Sequence, residues 1–157
     1  GWFHHVRLGL NYRWTDVQAA IGLAQLEKLD RIIELREAAA VRYHELLEDV
    51  DGVESPSGGD AEHKRSWFVY VVKLEAGLDR GAVIDRLRRE GVATAEYVPC
   101  IHLQPYMRER YGFAPGLCPV AENVSSRTLA LPFFTQIEAS DQHRVVEVLS
   151  AAVSNAV

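Results

Sequence analysis

Cysteine, lysine and large charge imbalance are all scarce in this 157-residue chain, and each shortage removes a class of function. The two cysteines, Cys100 and Cys118, stand in no metal-ligand spacing. Free thiols in a reducing cytoplasm are the simpler expectation, a disulfide the alternative. His4 and His5 are adjacent rather than four apart on a helix, and no cysteine or carboxylate cluster accompanies them, so no zinc site is expected. Seventeen basic against twenty-two acidic residues leave a net charge of −5, which offers no general attraction to nucleic acid or to an anionic membrane. No apolar run is long enough to cross a bilayer, and the opening Gly1-Trp2-Phe3-His4-His5 lacks the charged and apolar regions of a secretion signal. A soluble, cytoplasmic protein is predicted. There is no Gly-Lys-Ser/Thr phosphate loop, dinucleotide glycine fingerprint, nucleophile elbow, internal repeat or low-complexity tract. An initiating methionine is also missing, and an ordered motif begins almost at once, so the chain is expected to be a fragment.

What is present is a core's worth of apolar residues, 48% of the chain, enough for one domain. From Thr15 to about Val50 there is no proline and one glycine, and Val17, Ile21, Ala24, Leu26, Leu29 and Ile33, then Ala40, Tyr43 and Leu47, recur at helical spacing. This predicts one long helix or a kinked pair, capped by Thr15 or Asp16. At 1.5 Å per residue it would reach roughly 50 Å, more than a small domain needs internally. Glu34, Arg36 and Glu37 are expected on its solvated side. The loop Asp51–Asp60 ends it by turn chemistry.

Ser66–Leu74 is dense in aromatic and β-branched residues on both alternating faces and predicts a central strand, with Trp67, Phe68 and Tyr70 in the core. Asp79 is placed to cap a short helix whose Val83, Ile84 and Leu87 face inward and which Gly91 ends. Val92–Tyr97 reads as a second strand, Pro99–Pro105 as irregular, Pro119–Arg127 as a helix entered at proline and Thr128–Leu131 as a third strand. A last helix, from about Glu138 to Val153, buries Val145, Leu149 and Ala152. The fold class is α/β, with an α+β small domain: a long leading helix, then a small sheet with helices packed on one side.

Two segments carry candidate chemistry. In Leu8-Gly9-Leu10-Asn11-Tyr12-Arg13-Trp14-Thr15 a glycine and polar anchors precede a helix start. The Asn11 amide can donate to a phosphate oxygen and the Arg13 guanidinium can pair bidentately with one, although an asparagine in a turn and an arginine in a surface salt bridge are the ordinary readings. In Tyr97-Val98-Pro99-Cys100-Ile101-His102-Leu103-Gln104-Pro105-Tyr106 two prolines fix a loop around His102. A lone histidine there is more often structural than catalytic.

These segments, with Ile21-Gly22-Leu23-Ala24-Gln25-Leu26-Glu27-Lys28-Leu29-Asp30, Tyr111-Gly112-Phe113, Pro119-Val120-Ala121-Glu122 and Leu129-Ala130-Leu131-Pro132-Phe133-Phe134, occur in an order that resembles the DegT/DnrJ/EryC1/StrS family of sugar aminotransferases, which use pyridoxal phosphate. The resemblance covers nearly the whole chain; Trp14 and Glu138 depart from it locally. It implies the C-terminal portion of a fold-type I aminotransferase: residues 1–14 a cofactor- and substrate-binding segment of a large domain, 15–50 an interdomain helix and 51–157 the small domain. It implies that Asn11 contacts the pyridoxal phosphate of a neighbouring subunit in a homodimer with shared active sites, and that Arg13, Tyr97 and His102 contact substrate. The family's cofactor-binding lysine lies before the matching segment, and Lys28, Lys64 and Lys73 match none of its motif, so no catalytic residue is expected here and the chain alone should be inactive. The parent reaction would move an amino group from glutamate or glutamine to a nucleotide-linked keto sugar, most like the enzymes that aminate 4-keto-6-deoxy sugars for polysaccharide biosynthesis, with the cofactor as electron sink. The competing class is a non-catalytic α/β dimerisation or interaction module; a nucleic-acid-binding domain is disfavoured by the acidic charge.

Overall fold

The computed structural model describes residues 7–10, 12–60 and 62–155. They divide into two units, Gly1–Ile32 and Ile33–Val157.

In the first unit, α1 (Asp16–Leu26) starts from a reciprocal cap at Thr15: its hydroxyl accepts from the Gln18 amide, and its own amide donates to Gln18 Oε1 at 3.0 Å. Thr15, not Asp16, is therefore the cap. The helix ends at Glu27, and α2 (Leu29–Leu47) begins two residues later, so the helical run is a pair. No residue of α1 is buried; Val17, Ile21, Leu23 and Leu26 all stand exposed.

In the second unit the later turns of α2 present Ala39, Ala40, Tyr43 and Leu47, an i, i+4, i+8 stripe, to the core. Then follow β1 (Val53–Glu54), β2 (Tyr70–Leu74), α3 (Arg80–Arg89), β3 (Ala95–Glu96), α4 (Pro105–Tyr111), α5 (Pro119–Arg127), β4 (Thr128–Leu131) and α6 (Ala139–Ser154). The four strands are antiparallel in the order β1-β2-β4-β3. Register pairs Tyr70 with Leu131 and Val72 with Leu129. Because side chains alternate across a strand, Tyr70, Val72, Leu74, Leu129 and Leu131 share one face, and all are buried with residues of α2, α3 and α6. Tyr43 and Tyr70 meet there with ring centroids 4.8 Å apart.

The predicted caps hold: the Asp79 carboxylate accepts from the Gly81 and Ala82 amides, and Gly91 follows α3 at φ +78, a value that suits glycine. Gln142 and Tyr43 have partners for their polar groups inside the core. Gln142, wholly buried on α6, donates to the Ala39 carbonyl at 2.8 Å and accepts from Arg42 Nε at 2.6 Å, while Arg42 Nη2 donates to the Ile137 carbonyl at 3.1 Å. Tyr43 donates its hydroxyl to the Pro132 carbonyl at 2.8 Å.

Four expectations are corrected. The strand predicted from Ser66 begins only at Tyr70, because Trp67 takes a left-handed backbone (φ 47) that breaks the alternation. Phe68, expected in the core, consequently lies on the surface, while Trp67 and Tyr70 are buried. Arg36 and Glu37 do not merely face solvent: Arg36 Nη1 donates to the Trp67 carbonyl at 3.3 Å, and the Glu37 carboxylate accepts from the Trp67 indole N–H. The second predicted strand, Val92–Tyr97, shrinks to Ala95–Glu96, since side chains rather than a neighbouring strand occupy the Tyr97 and Val98 carbonyls. The two-residue β1 and the helix α4 were not foreseen. Both cysteines are free. Among the described residues there is no metal-ligand cluster and no helix long and apolar enough to cross a membrane.

Candidate substrate-facing site

The face of the sheet opposite the core carries a concavity of about 480 Å³. Trp67, Phe68 and Val71 line it from the β2 side, Tyr97 from the segment after β3, and Val124 and Thr128 from α5 and β4. The position of Phe68 follows from the left-handed turn at Trp67, which breaks the alternation that would have put Phe68 on the same face as Tyr70. Phe68 and Tyr97 then stand with ring centroids 6.3 Å apart at 57°. Arg65 lies at the rim, its guanidinium 4.8 Å from the centre of the Trp67 ring and one N–H donated to the Ser57 carbonyl. Such a surface offers the ring faces of Phe68 and Tyr97 beside a guanidinium with further N–H groups for an anion.

The segment that supplies Tyr97 is held by side chains of α5 and of the first residue of β4. Thr128 Oγ1 donates to the Tyr97 carbonyl, Ser125 Oγ donates to the Val98 carbonyl at 2.7 Å, and the Glu122 carboxylate accepts from His102 Nε2 at 2.9 Å. Glu122 and Ser125, three apart on the helix that Pro119 starts, share one face of it, and Thr128 is the extended residue that ends the helix and opens β4. Glu122 also accepts from the amides of Gly116 at 2.9 Å and Cys118 at 3.1 Å. The Gly116 amide, then His102, then the Cys118 amide hold its carboxyl below the ordinary glutamate range.

Of the residues expected to touch substrate, the structure places Tyr97 in the concavity and His102 outside its lining, engaged with Glu122 on the 3-10 turn Ile101–Leu103. Arg13 belongs to the first unit, on an exposed surface with Tyr12, Trp14 and Gln18. Asn11 lies outside the described residues. Phe68, Glu122, Ser125 and Thr128 were not singled out from sequence as site residues; the signal for Glu122 and Ser125 was their spacing by three on a proline-started helix, with Thr128 following it as the first residue of β4.

Fold and sheet together define an α/β unit shared with aminotransferases. A DegT/DnrJ/EryC1/StrS aminotransferase from Brucella abortus is 32% identical, with a TM-score of 0.80 over 98% of this chain and 39% of that one. DesV from S. venezuelae, solved in complex with a ketimine intermediate, is 25% identical with a TM-score of 0.82 over 96% of this chain and 40% of that one. The spore coat polysaccharide biosynthesis protein SpsC of Bacillus subtilis is 30% identical over 160 residues, 99% of this chain and 41% of that protein. The profile of the DegT/DnrJ/EryC1/StrS aminotransferase family matches residues 1–150, and the chain belongs to that family. It spans about two-fifths of the length of the relatives it matches.

Proposed function

We propose that this chain forms the C-terminal part of a pyridoxal-phosphate-dependent aminotransferase that moves an amino group from glutamate or glutamine to a nucleotide-linked 4-keto-6-deoxy sugar. The observation that carries the reading is the concavity joining Tyr97 to Phe68, Trp67 and Arg65 in a chain of this family. The rings would receive the base or sugar ring of the substrate, and Arg65 its phosphates. In this reading the enzyme is a cytoplasmic homodimer whose sites are shared between subunits, Asn11 reaches the cofactor, Arg13 and His102 assist with substrate, residues 15–50 link two domains and 51–157 form the smaller one.

The described residues do not by themselves make a home for pyridoxal phosphate. No lysine lines the concavity: Lys73 is paired with Glu54 across β1 and β2, and Lys28 and Lys64 are exposed elsewhere. The cofactor's carbonyl chemistry therefore belongs, on this proposal, to residues outside the chain, and the part played by these residues is to bind and orient the sugar nucleotide. A second reading, a non-catalytic dimerisation or interaction module, is favoured by one feature, the absence of any buried residue on α1.

Two measurements test the proposal. The chain alone, mixed with pyridoxal phosphate and reduced with borohydride, should give no single stoichiometric adduct at Lys28, Lys64 or Lys73 and no transamination; such an adduct with activity would overturn the assignment. The longer polypeptide encoded with its upstream sequence should convert nucleotide-linked keto sugars to amino sugars detected by mass spectrometry. A start codon directly before Gly1 would instead support the module.

A further inference from the structure

His102 and Glu122 form a pair whose geometry goes beyond a surface ion pair. Both side chains are largely enclosed, 12% and 21% exposed. Glu122 Oε1 sits 2.9 Å from His102 Nε2 and can only accept, because the same carboxylate already receives the Gly116 and Cys118 amides. Nε2 must therefore donate. In the neutral ring that leaves Nδ1 without a proton, an acceptor on the opposite edge. Nδ1 has no hydrogen-bond partner among the described residues, yet it is not among the buried side-chain atoms left unpartnered, so it keeps access to solvent. Cys100, two residues before His102, and Ala121, next to Glu122, both line the concavity, so the pair lies beside it.

We propose that Glu122 is a positioning residue for His102: it fixes the ring proton on Nε2 and leaves Nδ1 as an acceptor for a hydroxyl of the bound sugar. The identity of that donor rests on the sugar-nucleotide reading above; the tautomer does not. The arrangement parallels the way a carboxylate or carbonyl behind a histidine sets which nitrogen is available to a metal or substrate. The same carboxylate pins the Gly116–Cys118 loop, so tautomer and loop depend on one side chain.

The test is nitrogen-15 NMR of histidine-labelled chain, followed from neutral to alkaline pH so that the tautomer of the neutral ring is read directly. His102→Asn identifies the His102 signals among the six histidines. The unaltered chain should show the Nε2–H tautomer at His102. In Glu122→Ala the ring should become a tautomer mixture, and the Gly116 and Cys118 amides should exchange about tenfold faster as each loses a charge-assisted bond. Glu122→Gln, which keeps one accepting oxygen, should fall between and carries the test if the alanine variant fails to fold. An Nδ1–H tautomer in the unaltered chain, or His102 signals unmoved in a folded Glu122 variant, overturns the proposal. In the longer enzyme Glu122→Gln should raise KM for the keto sugar and leave the amino-donor half-reaction unchanged. A tautomer shift with KM unmoved removes the sugar hydroxyl as partner, whereas an unaltered enzyme inert toward every keto sugar defeats the function proposed above and leaves the NMR result standing.

Discussion

Phe68 and Tyr70 stand two positions apart in one apolar run, yet the first is 66% exposed and the second 0%. Replacing each with alanine separates binding from stability. An aromatic side chain buries roughly 150–250 Å² when enclosed, so the covered third of Phe68 amounts to about 70 Å². At ~25 cal/mol per Å² that is ~1.7 kcal/mol. An extended-chain reference overstates burial by roughly 10–40%, which brings the cost of Phe68→Ala to about 1–1.5 kcal/mol. Tyr70→Ala should cost ~3–5 kcal/mol, since Tyr70 packs against Tyr43, Trp67 and Phe133 at centroid distances of 4.8, 5.8 and 5.9 Å. The order reverses for ligand. A stacked ring face contributes ~1–3 kcal/mol, so Phe68→Ala should weaken sugar-nucleotide binding by about 5- to 150-fold. Urea unfolding followed by circular dichroism gives the stability differences, and calorimetry with the nucleotide sugar on the longer polypeptide gives the affinity. A stability loss near that of Tyr70→Ala, or affinity within twofold of the unaltered protein, would refute the placement of Phe68.

Gln142→Leu should destabilise by ~2–4 kcal/mol in urea titration, because it strands the half-buried Arg42 guanidinium; the double variant with Arg42→Leu should lose less than the two single losses added together. Gly52→Ala should lower the melting temperature through a loss above ~1 kcal/mol, as φ is +80 and an added Cβ would lie 2.9 Å from Val153 Cγ1. Asp79→Ala should cost ~1 kcal/mol in the same assay by removing the α3 cap. Burial pushes the Tyr70 hydroxyl from 10.0 up to about 12. The folded state thus holds that proton more tightly than the unfolded one, so its contribution is complete below pH 10 and is lost as pH rises toward about 12. Tyr70→Phe should flatten this alkaline fall in a pH series of unfolding curves.

Elements announced by end chemistry were legible in sequence. Asp79 and Gly91 bracketed α3, Pro119 opened α5, and Val145, Leu149 and Ala152 lie in the core as spacing required. The run Ser66–Leu74 was not fully legible, because apolar residues at every position from Trp67 to Val72 fix no parity and a single left-handed residue, Trp67, decides which rings turn inward. Only the family-like string around it singled out Tyr97, which lines the concavity, and the same string aimed His102 at substrate with no hint of Glu122. That pairing joins residues twenty apart across two elements, and charge alone does not reveal which of twenty-two acidic residues meets a given histidine. Arg36 and Glu37 read as solvated for the same reason: their partner, Trp67, is thirty residues away.

The central ladder between β2 and β4 unites segments about sixty residues apart along the chain. A ribosome adding ~5–20 residues per second needs several seconds to cover that distance. During this interval the completed strand Tyr70–Leu74 has only the two-residue β1 beside it, and its other row of amide and carbonyl groups waits bare. An unpaired apolar strand edge is a template for pairing with other chains. Synthesis of this protein therefore passes through a window in which one edge of the central strand is open to other chains.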